Sequence, residues 1–193
     1  MSDIIISNIS KSFGDKMVLS DFSEVIPHGK TTVIMGESGC GKTTLVNILM
    51  GLEKSDSGEI SGIPEKISAV FQDDLLCEDF SAISNIKAIT GGGLTKEKIA
   101  EALKLLDLTA KDIRYPVREL SGGMKRRVAI ARAILVDSEL VIMDEPFKGL
   151  DEGTRRKTID FVLQETESRT LIVITHSPEE AELLVSDKVI RMV

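Results

Sequence analysis

Three short segments of this chain carry residue types suited to phosphate chemistry. The first is Gly36-Glu37-Ser38-Gly39-Cys40-Gly41-Lys42-Thr43-Thr44. It matches G-x-x-x-x-G-K-[ST], in which glycines let the backbone curl around an anion and successive N–H groups point inward. Lys42 supplies a cation for the β- and γ-phosphates of ATP, and the Thr43 hydroxyl a ligand for Mg2+. Every residue from 36 to 44 is therefore a candidate nucleotide contact. The second segment is Asp144-Glu145, closing an apolar run. Adjacent residues at a strand end point different ways. Asp144 is accordingly the magnesium-side carboxylate and Glu145 the general base that polarises water. The third is Ser121-Gly122-Gly123, which opens a helical pattern as another anion-receptive N-terminus, without a lysine in the loop itself.

A phosphate loop of this kind has to sit between a strand and a helix. Residues 31–35 form an apolar run before it, and residues 42–52 place Leu45, Ile48, Leu49 and Leu52 on one helical face that stops near Gly51. Further strands are expected at 3–9, 67–71, 140–143 and 171–175, and helices at 96–108, 121–135 and 154–165. Short β-branched runs separated by helices predict a parallel sheet covered on both faces, an α/β architecture. Gly91-Gly92-Gly93 is expected to join two helices of a subdomain covering about residues 73–135.

Composition narrows the function classes. With 193 residues, 42% of them hydrophobic, the chain is sized for one domain. A net charge of -7 and a pI near 5.0 provide no diffuse positive field, so no nucleic-acid partner is expected. The N-terminus lacks a basic segment followed by a long apolar one, and no run of about 18 apolar residues occurs. A cytoplasmic chain is expected. Two distant cysteines, Cys40 and Cys77, offer neither a disulfide framework nor a CxxC site, so any metal would be held by oxygen. Cys40, beside Lys42 and a helix start, is a candidate reactive thiol. His28 lies in an exposed turn, and Arg126, Arg127, Arg155 and Arg156 read as solvated helix faces or interface residues.

Leu120-Ser121-Gly122-Gly123-Met124, followed by Lys125-Arg126-Arg127-Val128-Ala129-Ile130-Ala131-Arg132-Ala133, resembles the signature segment of the ABC ATPase family. The resemblance extends in order over essentially the whole chain. It implies a P-loop NTPase core (1–72 and 136–193) with an N-terminal antiparallel β region, and a helical subdomain bearing the signature. It implies that Phe13 stacks on adenine and that Gln72 senses magnesium and the attacking water. His176 would contact the γ-phosphate, and Gly149-Leu150-Asp151 would communicate across a dimer. Ser121, Gly122 and Gly123 would complete the site of a second ATPase chain, so that two nucleotides are sandwiched per dimer, a homodimer or a heterodimer with a related chain. Met124 and the run Met143-Asp144-Glu145-Pro146-Phe147 are similar to importers of the nitrate, sulfonate and taurine type. The partners then implied are transmembrane permease subunits and an extracellular substrate-binding protein, with this chain peripheral on the inner face of the membrane. Asp73-Asp74-Leu75-Leu76 would border the groove for the permease, where Cys77-Glu78-Asp79 departs from the usual bulkier residues. The short span between Thr43 and Ser121 leaves no room for a coiled-coil arm, and little chain follows His176. A soluble ABC-type ATPase acting in assembly or translation is the alternative.

Overall fold

The computed structural model describes residues 2–192; Met1 and Val193, both within the expected domain, lie outside the described residues. The element order is β1 (Ile4–Phe13), β2 (Lys16–Ile26), β3 (Thr31–Gly36), α1 (Lys42–Leu49), β4 (Ser57–Ser61), β5 (Ile67–Val70), α2 (Ala82–Ile89), α3 (Lys96–Leu105), α4 (Gly122–Ile134), β6 (Leu140–Asp144), α5 (Glu152–Glu165), β7 (Thr170–Ile174), α6 (Pro178–Leu183) and β8 (Lys188–Met192). Five strands form a parallel sheet in the order β5-β6-β7-β3-β8. The other three form an antiparallel sheet in the order β2-β1-β4.

The central strands are mostly apolar, and β6 and β7 are buried at every position, because both faces of the parallel sheet are covered. Alternation assigns the faces. Val33, Met35, Val141, Met143, Leu171 and Val173 pack into one core with residues of α2 to α5. Ile34, Leu140, Ile142, Ile172 and Ile174 pack into a second core with Leu45, Val46 and Leu49 of α1 and with Ile4, Ile6 and Ile26 of the antiparallel sheet. Register then aligns the ends that matter: Ile34 and Asp144 both pair with Ile174. The loops leaving β3, β6 and β7 therefore emerge side by side at the C-terminal edge, where open parallel sheets receive ligands.

Several boundaries move from their sequence expectations. The first strand runs on to Phe13, because its outer half pairs with β2 through bulges rather than through an apolar pattern. The helix expected at 42–52 ends at Leu49, and the chain turns through Gly51 at φ 69°. The helix expected from Thr154 starts at Glu152, capped by Asp151. The three glycines at 91–93 do connect α2 and α3. Among the described residues, no helix is long and apolar enough to cross a membrane.

Candidate functional site

The loop leaving β3 needs its glycines. Gly41 has φ 97°, and a Cβ there would lie 2.9 Å from both the Val18 carbonyl oxygen and Leu19. Lys42 follows as the first residue of α1. It is 8% exposed, and its Nζ donates to the carbonyls of Gly36 at 2.8 Å and Glu37 at 2.6 Å. The loop thus wraps its own cation. Cys40 is half-buried, its Sγ 3.7 Å from Lys42 Nζ. Thr43 Oγ1 donates to Asp144 Oδ2 at 2.7 Å, joining two residues far apart in the chain. Asp144 is only 7% exposed, and burial raises its carboxyl above the usual range, with Glu145 adding to the rise and the Thr43 hydrogen bond opposing it.

A cleft of about 350 Å³ is lined by Phe13, Ser38, Gly39, Gly41, Lys42, Thr43, Thr44, Gln72, Asp144 and Glu145. Most of the residues singled out in the sequence are therefore brought to one place. Gly36, Glu37 and Cys40 border a neighbouring cleft on the other side of the loop, together with His176. Lys16 and Val18 also line the first cleft and were missed. Lys16 pairs with Phe13 across the β1–β2 turn, a cross-strand relation that no local motif announces.

Glu145 begins the turn after β6 with φ 47°, a conformation that is unusual for a residue other than glycine. Its N–H donates to the Ile174 carbonyl at 3.0 Å. His176 Nδ1 lies 3.3 Å from Oε1, and Lys148 Nζ lies 3.0 Å from Oε2. Burial tends to raise the Glu145 carboxyl, but the hydrogen bond and charge of Lys148, joined by His176, outweigh it and hold the group below the usual range. Lys148 had no role in the sequence reading, although its spacing of three from Glu145 was available.

Ser121, Gly122, Gly123 and Asp151 do not line this cleft. Ser121 caps α4, accepting from the Met124 N–H at 3.3 Å, and Asp151 caps α5, accepting from the Thr154 N–H at 3.0 Å. These two segments adjoin: a Cβ at Gly123 would sit 3.4 Å from Leu150. The arginines need correction. Arg126 is buried, at 8% exposure, and donates to the carbonyls of Phe71 at 2.7 Å and Gln72, with Asp74 at 3.1 Å. It ties the signature helix to the end of β5. Arg127 is half-buried and donates to Leu106, and Arg155 pairs with Glu179 at 3.0 Å. Of the four, only Arg156 is exposed. His28 is exposed, as expected.

A family model described as ABC transporter matches residues 19–148. An aliphatic-sulfonate import ATP-binding protein of Paracoccus denitrificans is 38% identical over 188 residues, covering 94% of this chain and 76% of that protein. The chain belongs to the ABC transporter family. An iron(III)-import ATP-binding protein of Agrobacterium fabrum is 36% identical over 206 residues, and there this ABC chain spans only 58% of the relative's length. In three dimensions it resembles the dimeric structure of a bacterial ABC transporter cassette, with a TM-score of 0.86, 27% identity and coverage of 98% of this chain and 94% of that one. A post-hydrolysis cassette bound to ADP and Pi superposes with a TM-score of 0.84 at 27% identity, covering 98% and 94%.

Proposed function

We propose that this chain is the ATP-binding and ATP-hydrolysing subunit of an ABC transporter, working as half of a nucleotide-sandwich dimer that drives import through membrane permease subunits. The observation that carries the reading is the division of the site. Lys42, Thr43, Asp144 and Glu145 converge on one cleft, while Ser121 to Gly123 lie outside it beside Leu150. A chain that holds a nucleotide in the first place and presents an anion-receptive helix end in the second requires a second copy to close either site.

In this reading the N–H groups of residues 36–44 and Lys42 cradle the phosphates, which take over the positions near Nζ now held by the Gly36 and Glu37 carbonyls. Phe13 stacks on the adenine. Magnesium fits the residues present: Thr43 and Asp144 offer oxygen donors 2.7 Å apart, and a buried carboxylate with a raised pKa is one that a cation would complete. Held by Thr43 and Asp144, such an ion would supply neutralising charge to the phosphates. Glu145 takes the proton of the attacking water, Gln72 orients that water and senses the ion, and His176 donates to the γ-phosphate. Ser121, Gly122 and Gly123 reach the γ-phosphate of the partner's nucleotide, and Asp151 stands at the contact between chains. Residues 1–72 and 136–193 act as the nucleotide-binding core and about 73–135 as the helical subdomain, within one domain. The named relatives, import ATP-binding proteins, support the transport direction. A place on the cytoplasmic face of the membrane and an extracellular substrate-binding protein in the same system belong to this reading as well.

Glu145→Gln tests the catalytic assignment. ATP affinity should stay close to that of the wild type while turnover falls about a hundredfold or more, the range for losing a general base. Retained steady-state hydrolysis would remove Glu145 from that role. Recovery of the tagged chain from membranes with a multi-span partner tests the transport assignment, and recovery with ribosomes instead would overturn it.

A further inference from the structure

Glu145 stands at the wall between two clefts. One holds Lys42, Thr43 and Asp144. The other, of about 270 Å³, is lined by Lys148, Leu150, Arg155, His176 and Glu180 among others. Neither Lys148 nor His176 borders the first. With the Glu145 backbone held at φ 47° and its N–H bonded to Ile174, the direction of the side chain is the freedom that remains. Lys148 takes Oε2 at 3.0 Å and His176 Nδ1 takes Oε1 at 3.3 Å, so both oxygens are engaged from the side of the second cleft. A general base must instead turn a free lone pair to a water placed over the phosphates.

The restraint is breakable. The Lys148 side chain is 56% exposed against 21% for Glu145, and an exposed ion pair three residues apart contributes little to stability, so rotation about the lysine side chain can release it. Its place in the chain says what would release it. Lys148 directly precedes Gly149-Leu150-Asp151, and a Cβ at Gly123 would lie 3.4 Å from Leu150 Cδ2, its nearest neighbour there. A second copy seated on the signature segment would therefore lie beside the turn that carries Lys148.

We infer that Lys148 is a positioning residue that holds the Glu145 carboxylate away from its water until a second copy of this chain engages the 149–151 turn. The inference rests on the ATPase reading above. Lys148→Met keeps the length of the side chain and removes its charge, whereas Lys148→Arg keeps the charge. Steady-state ATP hydrolysis, Mg-ATP affinity and melting temperature are measured on the full chain without membrane partners. Lys148→Met should turn over about two- to fivefold faster, the range open to one exposed ion pair, with affinity and melting temperature unchanged. Lys148→Arg should match the wild type. High salt should bring the wild-type rate toward that of Lys148→Met by screening the pair. A hydrolysing wild type whose Lys148→Met variant is unchanged or slower overturns this inference alone, as does a Lys148→Arg variant as fast as Lys148→Met. Wild-type protein that binds ATP without hydrolysing it overturns the ATPase reading and the inference with it.

Discussion

Helices α1 and α4 both start where an anion can be received, but they are built for different circumstances. Helix α1 opens on Gly41 with no side-chain cap, which leaves its first N–H groups free, and Lys42 is folded into the loop ahead of it. Helix α4 opens on Ser121, whose hydroxyl already accepts from Met124. Its cations are turned to its own chain: Lys125 to Glu78, Arg126 to Phe71 and Gln72, and Arg127 to Leu106. The same helix-terminus physics thus yields a site with its own counter-charge in one place and a neutral, small-residue platform in the other. In the proposed reading the first holds a nucleotide alone, and the second only adds to one.

Removing the counter-charge is the strongest way to break this contrast. Lys42→Ala should weaken ATP binding by about a hundredfold, corresponding to about 3 kcal/mol for charge-assisted bonds to phosphate, as read by calorimetric titration of the isolated chain. Gly123→Asp should leave that titration unchanged. Asp at the second position of α4 suits the helix dipole and there is room for a Cβ, so the fold should not suffer, but a carboxylate would repel the partner's γ-phosphate. Turnover and ATP-dependent dimerisation, followed by light scattering, should fall about a hundredfold or more if the platform supplies transition-state contacts. A Gly123→Asp chain that binds ATP poorly as a monomer would erase the distinction between the two helices.

The phosphate loop was legible because its mechanics are local: glycine, lysine and threonine at fixed spacing between an apolar run and a helix. Asp144 and Glu145 were legible for the same reason, standing at the end of a strand buried at every position. Legibility fell where structure depends on distant pairing. Strand β4 has one apolar residue, Ile60, and exists because Ile5, Ile6 and Ser7 of β1 pair with it. Arg126 looked like a solvated residue because a run of three basic residues carries no periodicity. Its burial follows from the end of β5 lying across the helix, which only tertiary packing reveals. Lys148 was missed because an i to i+3 ion pair in a turn has no sequence signature apart from the helical one.

The two regions should also differ in how function and stability relate, and this is the smallest effect. Asp144 is a buried carboxylate with a single hydroxyl donor, and burial raises its folded pKa. A carboxyl whose pKa is raised by folding disfavours the folded state wherever it is ionised. The cost is present above the unfolded value and shrinks as pH falls through the folded one. Asn at this position keeps an acceptor for Thr43 and removes the charge, so Asp144→Asn should raise the melting temperature in magnesium-free buffer at neutral pH by about 2–4 °C. The gain should fade as the buffer is acidified, and magnesium-dependent nucleotide binding should be lost. Ser121→Ala should shift the melting temperature the other way by a similar amount, about 1 kcal/mol for a lost N-cap, with no dependence on pH because serine does not ionise in that range. If both variants melted lower, Asp144 would be a structural anchor like Ser121, and the electrostatic difference between the two halves of the site would not hold.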